Sequence, residues 1–329
     1  MTRFPLPSSS PSAQVVFIHG HGSYCTRTYG LISERLRAFG VASFGFDQHS
    51  YGKSVGLPGD CENDSFVGPV RASAYSMDII LQDALDVINH VLIPGVPLLL
   101  YGESLGGAIA MLLAANKSSP KIDGLLLFGP FCGFDEKLAP NVVIQLIGSI
   151  VAAVAPFAPL TPLGRDLVSV SYKDPTKREW VKEDPLRYHG RMRLGTAFAI
   201  REMARKAGHE DTLSHITSPV CVIYGTDDVV TPPAASTMVF EKTVGKKKYL
   251  VPYEKAFHTL FAENEDTIEL LLQDICAFIS ALGFTNPQDV KGQHLDFPMI
   301  NGAHVLKHRP EGKVPFKKKE DIIEKETVT

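Results

Sequence analysis

The stretch PLLLYGESLGGAIAMLLAA, residues 97–115, joins three local patterns in an order that decides the fold. Residues 98–101 form a short apolar run typical of a buried strand, and residues 107–115 form a helix rich in small side chains. Between them, GESLG at 102–106 places Ser104 on a sharp turn from strand to helix. A strand, a G-x-S-x-G turn and a helix are together the pattern of a nucleophile elbow.

The elbow spacing has a chemical reason. A serine at this turn adopts a strained backbone conformation that leaves its hydroxyl open to solvent and substrate. Side chains two residues before and two residues after it would collide with neighbouring backbone, so Gly102 and Gly106 are required. The N-terminus of the following helix directs free N–H groups and a positive dipole end at the reacting centre. Ser104 is therefore the predicted nucleophile.

Length and composition restrict the class of protein. The chain has 329 residues, 44% of them hydrophobic and 21% charged, which suits one large globular domain with an inserted lid. The formal charge of −3 predicts no nucleic-acid partner. The N-terminal residues MTRFPLPSSSPSAQ contain no apolar core of a secretory signal. We predict that the protein uses no cofactor and that it is cytoplasmic.

Cysteine and histidine patterns bear on redox chemistry and metals. The five cysteines are scattered and show no C-x-x-C or Cys/His ligand spacing, which predicts reduced thiols: Cys25, Cys61, Cys132, Cys221 and Cys276. A metal site could be built from three histidines, His19, His21 and His49. It is disfavoured because no carboxylate stands at a recognised ligand spacing from them. No metal is therefore predicted.

Apolar runs and amphipathic stretches alternate along the chain, which predicts an α/β fold with a mostly parallel central sheet and helices on both faces. The expected strands, besides the elbow strand, are 15–19, 41–46, 122–128, 219–224 and 248–251, and the expected helices, besides the elbow helix, are 28–39, 75–91, 233–243 and 263–282. The predicted core spans 1–130 and 207–282, a helical cap spans 131–206, and a polar tail at 283–329 is expected to be poorly ordered.

The uncharged segment 142–160 is close to the minimum length of a transmembrane helix. Gln145, Gly148 and Ser149 interrupt its apolar run, and Pro156 and Pro159 break its second half. The segment therefore predicts an apolar lid helix of roughly fourteen residues that touches a bilayer rather than crosses it.

Ser104 needs a base and an orienting acid, because a serine hydroxyl is too weakly acidic to attack an ester unaided. In an elbow protein the chain order is Ser, then Asp or Glu, then His. The GTDDVVTP turn at 225–232 supplies Asp227 and Asp228, and His258 follows the last predicted strand. The serine, the candidate aspartates and the histidine all fall at the C-terminal ends of predicted strands, where sites form in parallel sheets. We predict His258 as the base and Asp228 as the acid, with Asp227 as its competitor.

A tetrahedral intermediate needs donors for its oxyanion. Leu105 follows the nucleophile, so its backbone amide is one candidate. The loop HGHG at 19–22 supplies the second, the amide of His21, because the flanking glycines allow close backbone approach. The imidazoles of His19 and His21 are expected to be structural.

Six short motifs occur together between about residue 15 and residue 282: FIHGHG (17–22), D-x-x-x-x-G-x-S (47–54), GESLGG (102–107), DPLRY (184–188), GTDDVVTP (225–232) and FHTL (257–260). This combination resembles the monoacylglycerol lipase branch of the serine α/β-hydrolases, and is most similar to the plant-type monoacylglycerol lipase and caffeoylshikimate esterase group. The resemblance implies an α/β-hydrolase fold, favours Asp228 over Asp227, places the oxyanion amides at His21 and Leu105, and implies a cap over the serine.

The chain departs from that family in three places. Only about fourteen residues precede the first strong strand, so we expect a shortened sheet edge. Ser50 stands where the family often has glycine. The tail with Lys317–Lys319 lies outside the family pattern, and a weak contact with anionic lipid is the alternative to a solvated tail.

Four functions remain open from the residues and the resemblance. The first is a serine ester hydrolase that acts on monoacylglycerol or lysophospholipid through an acyl-enzyme, with a peripheral membrane contact through the cap. The second is an esterase for small aromatic esters of the caffeoylshikimate type. The third is a non-catalytic binding protein with the same fold, although such proteins typically lack a triad member. Aminopeptidase activity is also open, but no acidic pocket for a substrate ammonium group is evident.

Overall fold

The computed structural model describes residues 1–7, 10–55, 71–73, 76–133, 142–158, 167–284 and 304–305. Within these residues an eight-stranded sheet runs through the molecule in the order β1-β3-β2-β4-β5-β6-β7-β8. Its strands are β1 (Thr2–Arg3), β2 (Ala13–Ile18), β3 (Val41–Gly45), β4 (Leu98–Glu103), β5 (Gly124–Phe128), β6 (Val220–Gly225), β7 (Lys248–Tyr253) and β8 (His304–Val305). β1 pairs antiparallel with β3, and every other pair is parallel.

Eleven α-helices accompany these strands in the described part of the chain. They are α1 (Cys25–Thr28), α2 (Gly30–Ala38), α3 (Met77–Val91), α4 (Leu105–Ala115), α5 (Val142–Val154), α6 (Leu167–Ser171), α7 (Pro175–Glu183), α8 (Leu194–Ala207), α9 (Glu210–His215), α10 (Pro233–Lys242) and α11 (Glu265–Ala281). Side-chain caps explain several helix starts: Ser76, Asp174 and Asn264 each accept a hydrogen bond from a backbone N–H of the first turn.

The inner strands are buried on both faces, which accounts for their continuous apolar runs. Alternate residues of β2 enter two separate cores: Val16 and Ile18 face one, and Val15 and Phe17 face the other. The first core includes residues of α3, α4 and α8, and the second includes residues of α2 and α11. The sheet is therefore covered by helices on both sides, and the predicted α/β-hydrolase architecture is confirmed.

The predicted strands and helices are all present, with ends displaced by a few residues. The elbow helix is the clearest case, since it begins at Leu105 rather than Gly107 and so starts directly after Ser104. At the sheet edge β1 contributes two residues. Residues 56–70 lie outside the described residues, as does the predicted tail except for Gly283, Phe284 and the two residues of β8.

The described part of the predicted cap contains α5 to α8. α5 is 13 residues long. Among the residues that the structure describes, no helix is both long and apolar enough to cross a membrane. α8 packs on α4 of the core through residues such as Ile200, Met203 and Ala204, all of which are buried. The elbow helix is thus held between the sheet and the last helix of the segment.

Four cysteines lie in the described residues, and each is a buried free thiol: Cys25, Cys132, Cys221 and Cys276. Burial raises the pKa of every one of them, to about 12 for Cys132 and Cys276. A thiol with so high a pKa carries almost no thiolate at neutral pH, so these side chains act as small apolar groups. Cys61 lies outside the described residues.

Candidate active site

Ser104 has the backbone geometry that the elbow pattern predicts. Its φ of 53° and ψ of −116° lie in a backbone region that residues other than glycine rarely adopt. The turn is fixed by backbone hydrogen bonds: the Ser104 N–H donates to Phe128 O at 2.9 Å, and Ser104 O accepts from the N–H groups of Gly107 and Phe131, each at 2.9 Å. The strain is therefore held by the neighbouring strand and by the first turn of α4.

The two elbow glycines are required for the reason given by the sequence. A Cβ atom on Gly106 would overlap the carbonyl group of Ile18 in β2. A Cβ atom on Gly102 would overlap the backbone of Gly106 and Gly107. The collisions involve main-chain atoms, which cannot rotate away, so the close approach of α4 to the sheet excludes any larger residue.

His258 and Asp228 meet although 29 residues separate them in the chain. His258 Nδ1 lies 2.6 Å from Asp228 Oδ2, and the two residues are 8% and 3% exposed. Asp228 Oδ1 accepts hydrogen bonds from the backbone N–H groups of Val230 at 2.8 Å and Thr231 at 2.9 Å. One carboxylate oxygen, Oδ1, is therefore held by main-chain donors, and the other, Oδ2, orients the imidazole with Nε2 away from it.

Asp227, the competing acid, lies elsewhere. Its side chain is exposed, and within the described residues its carboxylate accepts a hydrogen bond from the neighbouring Thr226 hydroxyl alone, at 3.4 Å. The backbone N–H of Asp227 donates to Ala256 O at 3.1 Å, which fixes the turn rather than the imidazole. Of the two adjacent aspartates, Asp228 is the one that the structure brings to His258.

Thr231 is a site residue that motif reasoning did not single out. Its Oγ1 lies 2.7 Å from Asp228 Oδ2, 3.0 Å from His258 Nδ1 and 3.0 Å from the carbonyl oxygen of Gly129. Thr231 is buried, so its hydroxyl makes these three contacts away from solvent. The threonine was visible within GTDDVVTP, but nothing in its spacing indicated that it would turn back onto the aspartate three residues before it.

The two residues predicted to supply oxyanion donors, His21 and Leu105, lie in the HGHG loop and at the start of α4. Leu105 is the first residue of α4, where a backbone N–H has no partner within the helix. His21 and Gly20 line the same cavity as Ser104. The Leu105 amide is next to the nucleophile in the chain, the His21 residue lines the cavity that Ser104 also lines, and the role of both amides as donors stays a prediction.

The imidazoles of the HGHG loop have structural partners. His19 Nε2 accepts a hydrogen bond from the Gln48 N–H at 2.9 Å, and His21 Nδ1 lies 2.7 Å from the Tyr51 hydroxyl. Burial lowers the pKa of each from 6.5 to about 4, so both are neutral at physiological pH. His49, the third histidine considered for a metal, instead lies 3.9 Å from Asp83 on the surface. In the described part of the chain no cluster of His, Cys, Asp and Glu suits a metal ion.

A cavity of about 680 Å³ opens over the serine. Ser104 and His258 both line it, together with residues of the HGHG loop, α6 and α7. No described side chain hydrogen-bonds to the Ser104 hydroxyl, which leaves it available to a ligand. Hydrogen bonds between a nucleophile and its base are often long without substrate and shorten when substrate is bound. The structure therefore places the predicted nucleophile and base at one cavity.

Ser50 explains one departure noted in the sequence. Its φ of 66° is left-handed, the conformation for which glycine is preferred. The Ser50 hydroxyl accepts a hydrogen bond from the Ser73 N–H at 2.7 Å, and the Ser50 carbonyl accepts one from the Ala72 N–H at 2.8 Å. These bonds compensate for the strained backbone and tie the 47–54 loop to residues 72–73.

Comparisons with known proteins agree with this geometry. Caffeoylshikimate esterase of Arabidopsis thaliana is 27% identical over 271 residues, which cover 80% of this chain and 76% of that protein. Monoglyceride lipase of Rattus norvegicus is 25% identical over 84% of this chain and 86% of its own. The crystal structure of Paleococcus ferrophilus monoacylglycerol lipase superposes with a TM-score of 0.70 at 24% identity, over 85% of this chain and 98% of that one. The resemblance inferred from the motifs is confirmed. A profile of the family described as serine aminopeptidase, S33 matches residues 9–265, so the chain belongs to that family of α/β-hydrolases.

Proposed function

We propose that the chain is a serine ester hydrolase that cleaves the carboxylic ester of a monoacylglycerol or lysophospholipid. The observation that carries this proposal is the buried 2.6 Å contact between Asp228 and His258 at the cavity that also contains Ser104 on its strained turn. A carboxylate, an imidazole and a serine in this chain order are the components of acyl transfer.

The chemistry follows from the positions of the side chains. His258 takes the proton from the Ser104 hydroxyl as the oxygen attacks the ester carbonyl, and Asp228 holds the imidazole in the required tautomer and stabilises its cation. The backbone amides of His21 and Leu105 donate to the oxyanion that forms. His258 then gives the proton to the leaving alcohol, and a water molecule hydrolyses the acyl-enzyme by the same steps. No cofactor is needed for any step.

A lipid ester is supported by the lining of the cavity and by the relatives. Apolar side chains of the helical segment, among them Leu167, Val168 and Val181, line the cavity that Ser104 also lines. Burying each methylene of an acyl chain against such a wall is worth roughly 0.8 kcal/mol. Relatives that match more than three-quarters of this chain bear the names monoglyceride lipase and monoacylglycerol lipase. An aminopeptidase is disfavoured, since Glu103 is the one carboxylate among the described residues that line the cavity.

The segment 131–206 would act as the cap over this cavity, and its outer surface would touch a membrane. Ile147, Ile150 and Val154 are exposed on one side of α5, and Trp180 of α7 is 57% exposed. Exposed apolar side chains at this spacing suit insertion into the interfacial region of a bilayer. The proposed core is 1–130 with 207–282, and the chain meets the membrane peripherally. Binding to phosphatidylcholine vesicles should weaken in Ile150→Ser with Trp180→Ser, whereas Val229→Ser, an exposed apolar residue of the core, serves as the matched control.

Labelling and rate measurements test the catalytic residues. A fluorophosphonate probe should label the wild-type protein but not Ser104→Ala. Asp228→Asn should lose about a thousandfold or more in kcat, because the imidazole is no longer held in the productive tautomer. Asp227→Asn makes the same chemical change one residue away at an exposed side chain and should stay close to wild type. Labelling that survives in Ser104→Ala, or equal losses in the two aspartate variants, would contradict the assignment.

The substrate class is tested by varying the acyl chain. Monoacylglycerols of medium and long chain length should be cleaved with a higher kcat/KM than short-chain esters, because the apolar wall adds binding energy with each methylene. Equal kcat/KM across chain lengths would count against a lipid-binding cap. A preference for caffeoyl or feruloyl esters over all monoacylglycerols would point to the aromatic-ester alternative.

A further inference from the structure

The charged lining of the cavity is strongly one-sided. Lys182, Arg187 and Arg191 line it, and among the described residues Glu103 is the single carboxylate that does so. A glycerol ester without a charged group needs no cation for its recognition. Cations beside an apolar wall are favoured when an anion is bound between them, since the anion compensates for the water that they lose. The charges that line the cavity therefore favour a ligand with an anionic group.

Arg187 is held in place by an aromatic ring. Its guanidinium carbon lies 5.7 Å from the centre of the Tyr172 ring, and Tyr172 is a buried residue at the end of α6. Within the described residues Arg187 forms no ion pair with a carboxylate. Stacking on an aromatic face orients a guanidinium group and leaves N–H groups on its edge for a planar anion. Arg187 is thus an oriented cation whose charge the described carboxylates do not neutralise.

The other two cations that line the cavity, Lys182 and Arg191, are more exposed than Arg187. Lys182 forms a surface ion pair with Glu179 at 3.1 Å, which already compensates part of its charge. Arg191 is exposed, and its carbonyl accepts a hydrogen bond from the Tyr188 hydroxyl at 2.6 Å. Their contribution is therefore mainly to the positive potential at the cavity mouth.

The positive charge of Arg187 also acts on His19 of the HGHG loop. Burial is the main reason that the pKa of His19 is lowered to about 4, and the positive charge of Arg187 lowers it further. Glu103, the acidic lining residue, is engaged on its other side, because its Oε2 accepts a hydrogen bond from the buried Tyr29 hydroxyl at 3.2 Å. Arg187 and the loop residues Gly20, His21 and Gly22 line the same cavity, so an anion that enters the cavity is exposed to the charge of Arg187.

We propose that Arg187, assisted by Lys182 and Arg191, binds an anionic group of the substrate, so that the preferred ester carries a carboxylate or phosphate on its alcohol part. This inference rests on the proposed ester hydrolase function and narrows its substrate class. The anionic group keeps its charge throughout acyl transfer, so Arg187 binds the ground state and the transition state alike. Its loss should therefore raise KM for an anionic ester with little change in kcat.

Two matched pairs of decanoyl esters test the inference without interference from bilayer surface charge. One pair is decanoylglycerol and decanoylglycerol phosphate, and the other is the decanoyl ester of hydroxybutanoate and that of hydroxybutanamide. In each pair the esters differ in charge but share the acyl chain. For the wild type we expect the anionic member of at least one pair to have the higher kcat/KM, and a preference confined to one pair identifies phosphate or carboxylate as the group bound.

Arg187→Gln should reduce the anionic-to-neutral ratio of kcat/KM about ten- to hundredfold, as expected for loss of a charge-assisted hydrogen bond. Arg187→Lys keeps the charge without the planar fork and should restore part of the ratio. Arg205→Gln removes an exposed arginine of α8 that does not line the cavity, and should leave the ratio at its wild-type value. Should Arg187→Gln not fold, the wild-type ratio and its decrease with added salt test the same inference.

The outcomes separate this inference from the function on which it rests. Efficient cleavage of the neutral esters, with ratios at or below one in both pairs, would overturn the anionic substrate and leave the hydrolase intact. An Arg187→Gln variant that keeps the wild-type ratio would overturn the role of Arg187. If neither fluorophosphonate labelling nor hydrolysis of any ester is observed, the proposed function fails and the inference fails with it.

Discussion

At the scale of single residues, the Thr231 hydroxyl is the least expected part of the site. It lies 2.7 Å from Asp228 Oδ2 and 3.0 Å from His258 Nδ1, so it contacts both members of the acid–base pair. A hydroxyl donor to a buried carboxylate steadies the position of that carboxylate and thereby of the imidazole. Thr231 does not reach the substrate, so we regard it as a positioning residue.

Thr231→Val removes this hydroxyl while it keeps the shape of the side chain. We expect kcat to fall about tenfold, since a buried hydrogen bond to a charged group is lost, with KM little changed. Thr231→Ser retains the hydroxyl and is the matched control, which should recover most of the rate. Steady-state kinetics on decanoylglycerol and thermal unfolding of each variant measure the effect. Equal rates for the valine and serine variants would contradict a positioning role.

The two histidines of the HGHG loop, of which His19 is buried and His21 is partly buried, predict a pH dependence of stability. Burial lowers the pKa of His21 from 6.5 to about 4, so between these values the unfolded chain binds a proton that the folded protein does not. The stability is fully retained above about pH 6.5 and decreases as the pH falls through this window. At pH 5 the expected loss is about 2 kcal/mol for one such histidine.

Urea unfolding of the wild type at pH 7 and pH 5 measures this loss. His21→Gln cannot take up the proton, so its free energy of unfolding should decrease by about 2 kcal/mol less than that of the wild type between the two pH values. His90→Gln changes an exposed histidine at the end of α3 and should keep the wild-type pH dependence. A decrease of the same size in His21→Gln and wild type would rule out this contribution.

At the scale of elements, the unit formed by β4, the elbow and α4 determines where the nucleophile lies. α4 approaches the sheet so closely that there is no space for a Cβ atom at Gly106, which faces the Ile18 carbonyl of β2. The apolar residues of α4 then bury against the sheet and α8, which holds the helix and the strained Ser104 in position. The strain is stable because packing on both sides of the helix opposes its release.

Gly106→Ala tests this packing. The added methyl group meets backbone atoms that cannot move without displacing β2 or α4, so we expect a loss of at least about 3 kcal/mol in the free energy of unfolding. Gly30→Ala is the control, since a Cβ atom on Gly30 at the start of α2 would meet nothing within 4 Å. Thermal and urea unfolding compare the two variants. A Gly106→Ala variant as stable as the control would contradict the close approach of helix and sheet.

At the scale of the whole molecule, the helical segment over the cavity is attached to the core by buried polar contacts. The Tyr24 hydroxyl of the core donates to Asp184 Oδ2 at 2.9 Å, across 160 positions of sequence, and both residues are buried. The Tyr188 N–H donates to the carbonyl of Gly22 in the HGHG loop at 3.1 Å. Because these contacts join the cavity wall to the loop beside the nucleophile, opening of the segment and access to the site should be linked.

Tyr24→Phe removes one of these attachments. Amide hydrogen exchange in residues 167–193 should become faster, since opening of the segment no longer breaks a hydrogen bond worth about 1–3 kcal/mol to a charged group. Tyr253→Phe also removes a hydroxyl donor to a buried carboxylate, that of Asp274, but both of its residues belong to the core. It should lower global stability without selective exchange in 167–193. The same exchange pattern in both variants would contradict this attachment.

Patterns of neighbouring residues in the sequence were sufficient to predict most of the strands and helices of the fold. The apolar runs of the inner strands and the amphipathic stripes of helices such as α3 and α11 are set by residues close in sequence, so their types and approximate positions were predictable. The strain at Ser104 and the need for Gly102 and Gly106 followed from one motif. Helix ends were less predictable, because capping contacts and packing decide the last turn.

In the sequence, the alternation of apolar runs and amphipathic stretches predicted an α/β fold, and the G-x-S-x-G spacing predicted the elbow, because both depend on residues close together in the chain. The resemblance to a known family implied the α/β-hydrolase architecture and favoured Asp228 as the acid. The contact of Asp228 with His258, the contacts of Thr231 with both residues, and the position of Arg187 over the Tyr172 ring in the cavity that Ser104 lines are visible in the tertiary structure alone. Contacts of this kind depend on how strands and loops distant in sequence are brought together, and short-range patterns contain no information about which neighbouring side chain turns inward.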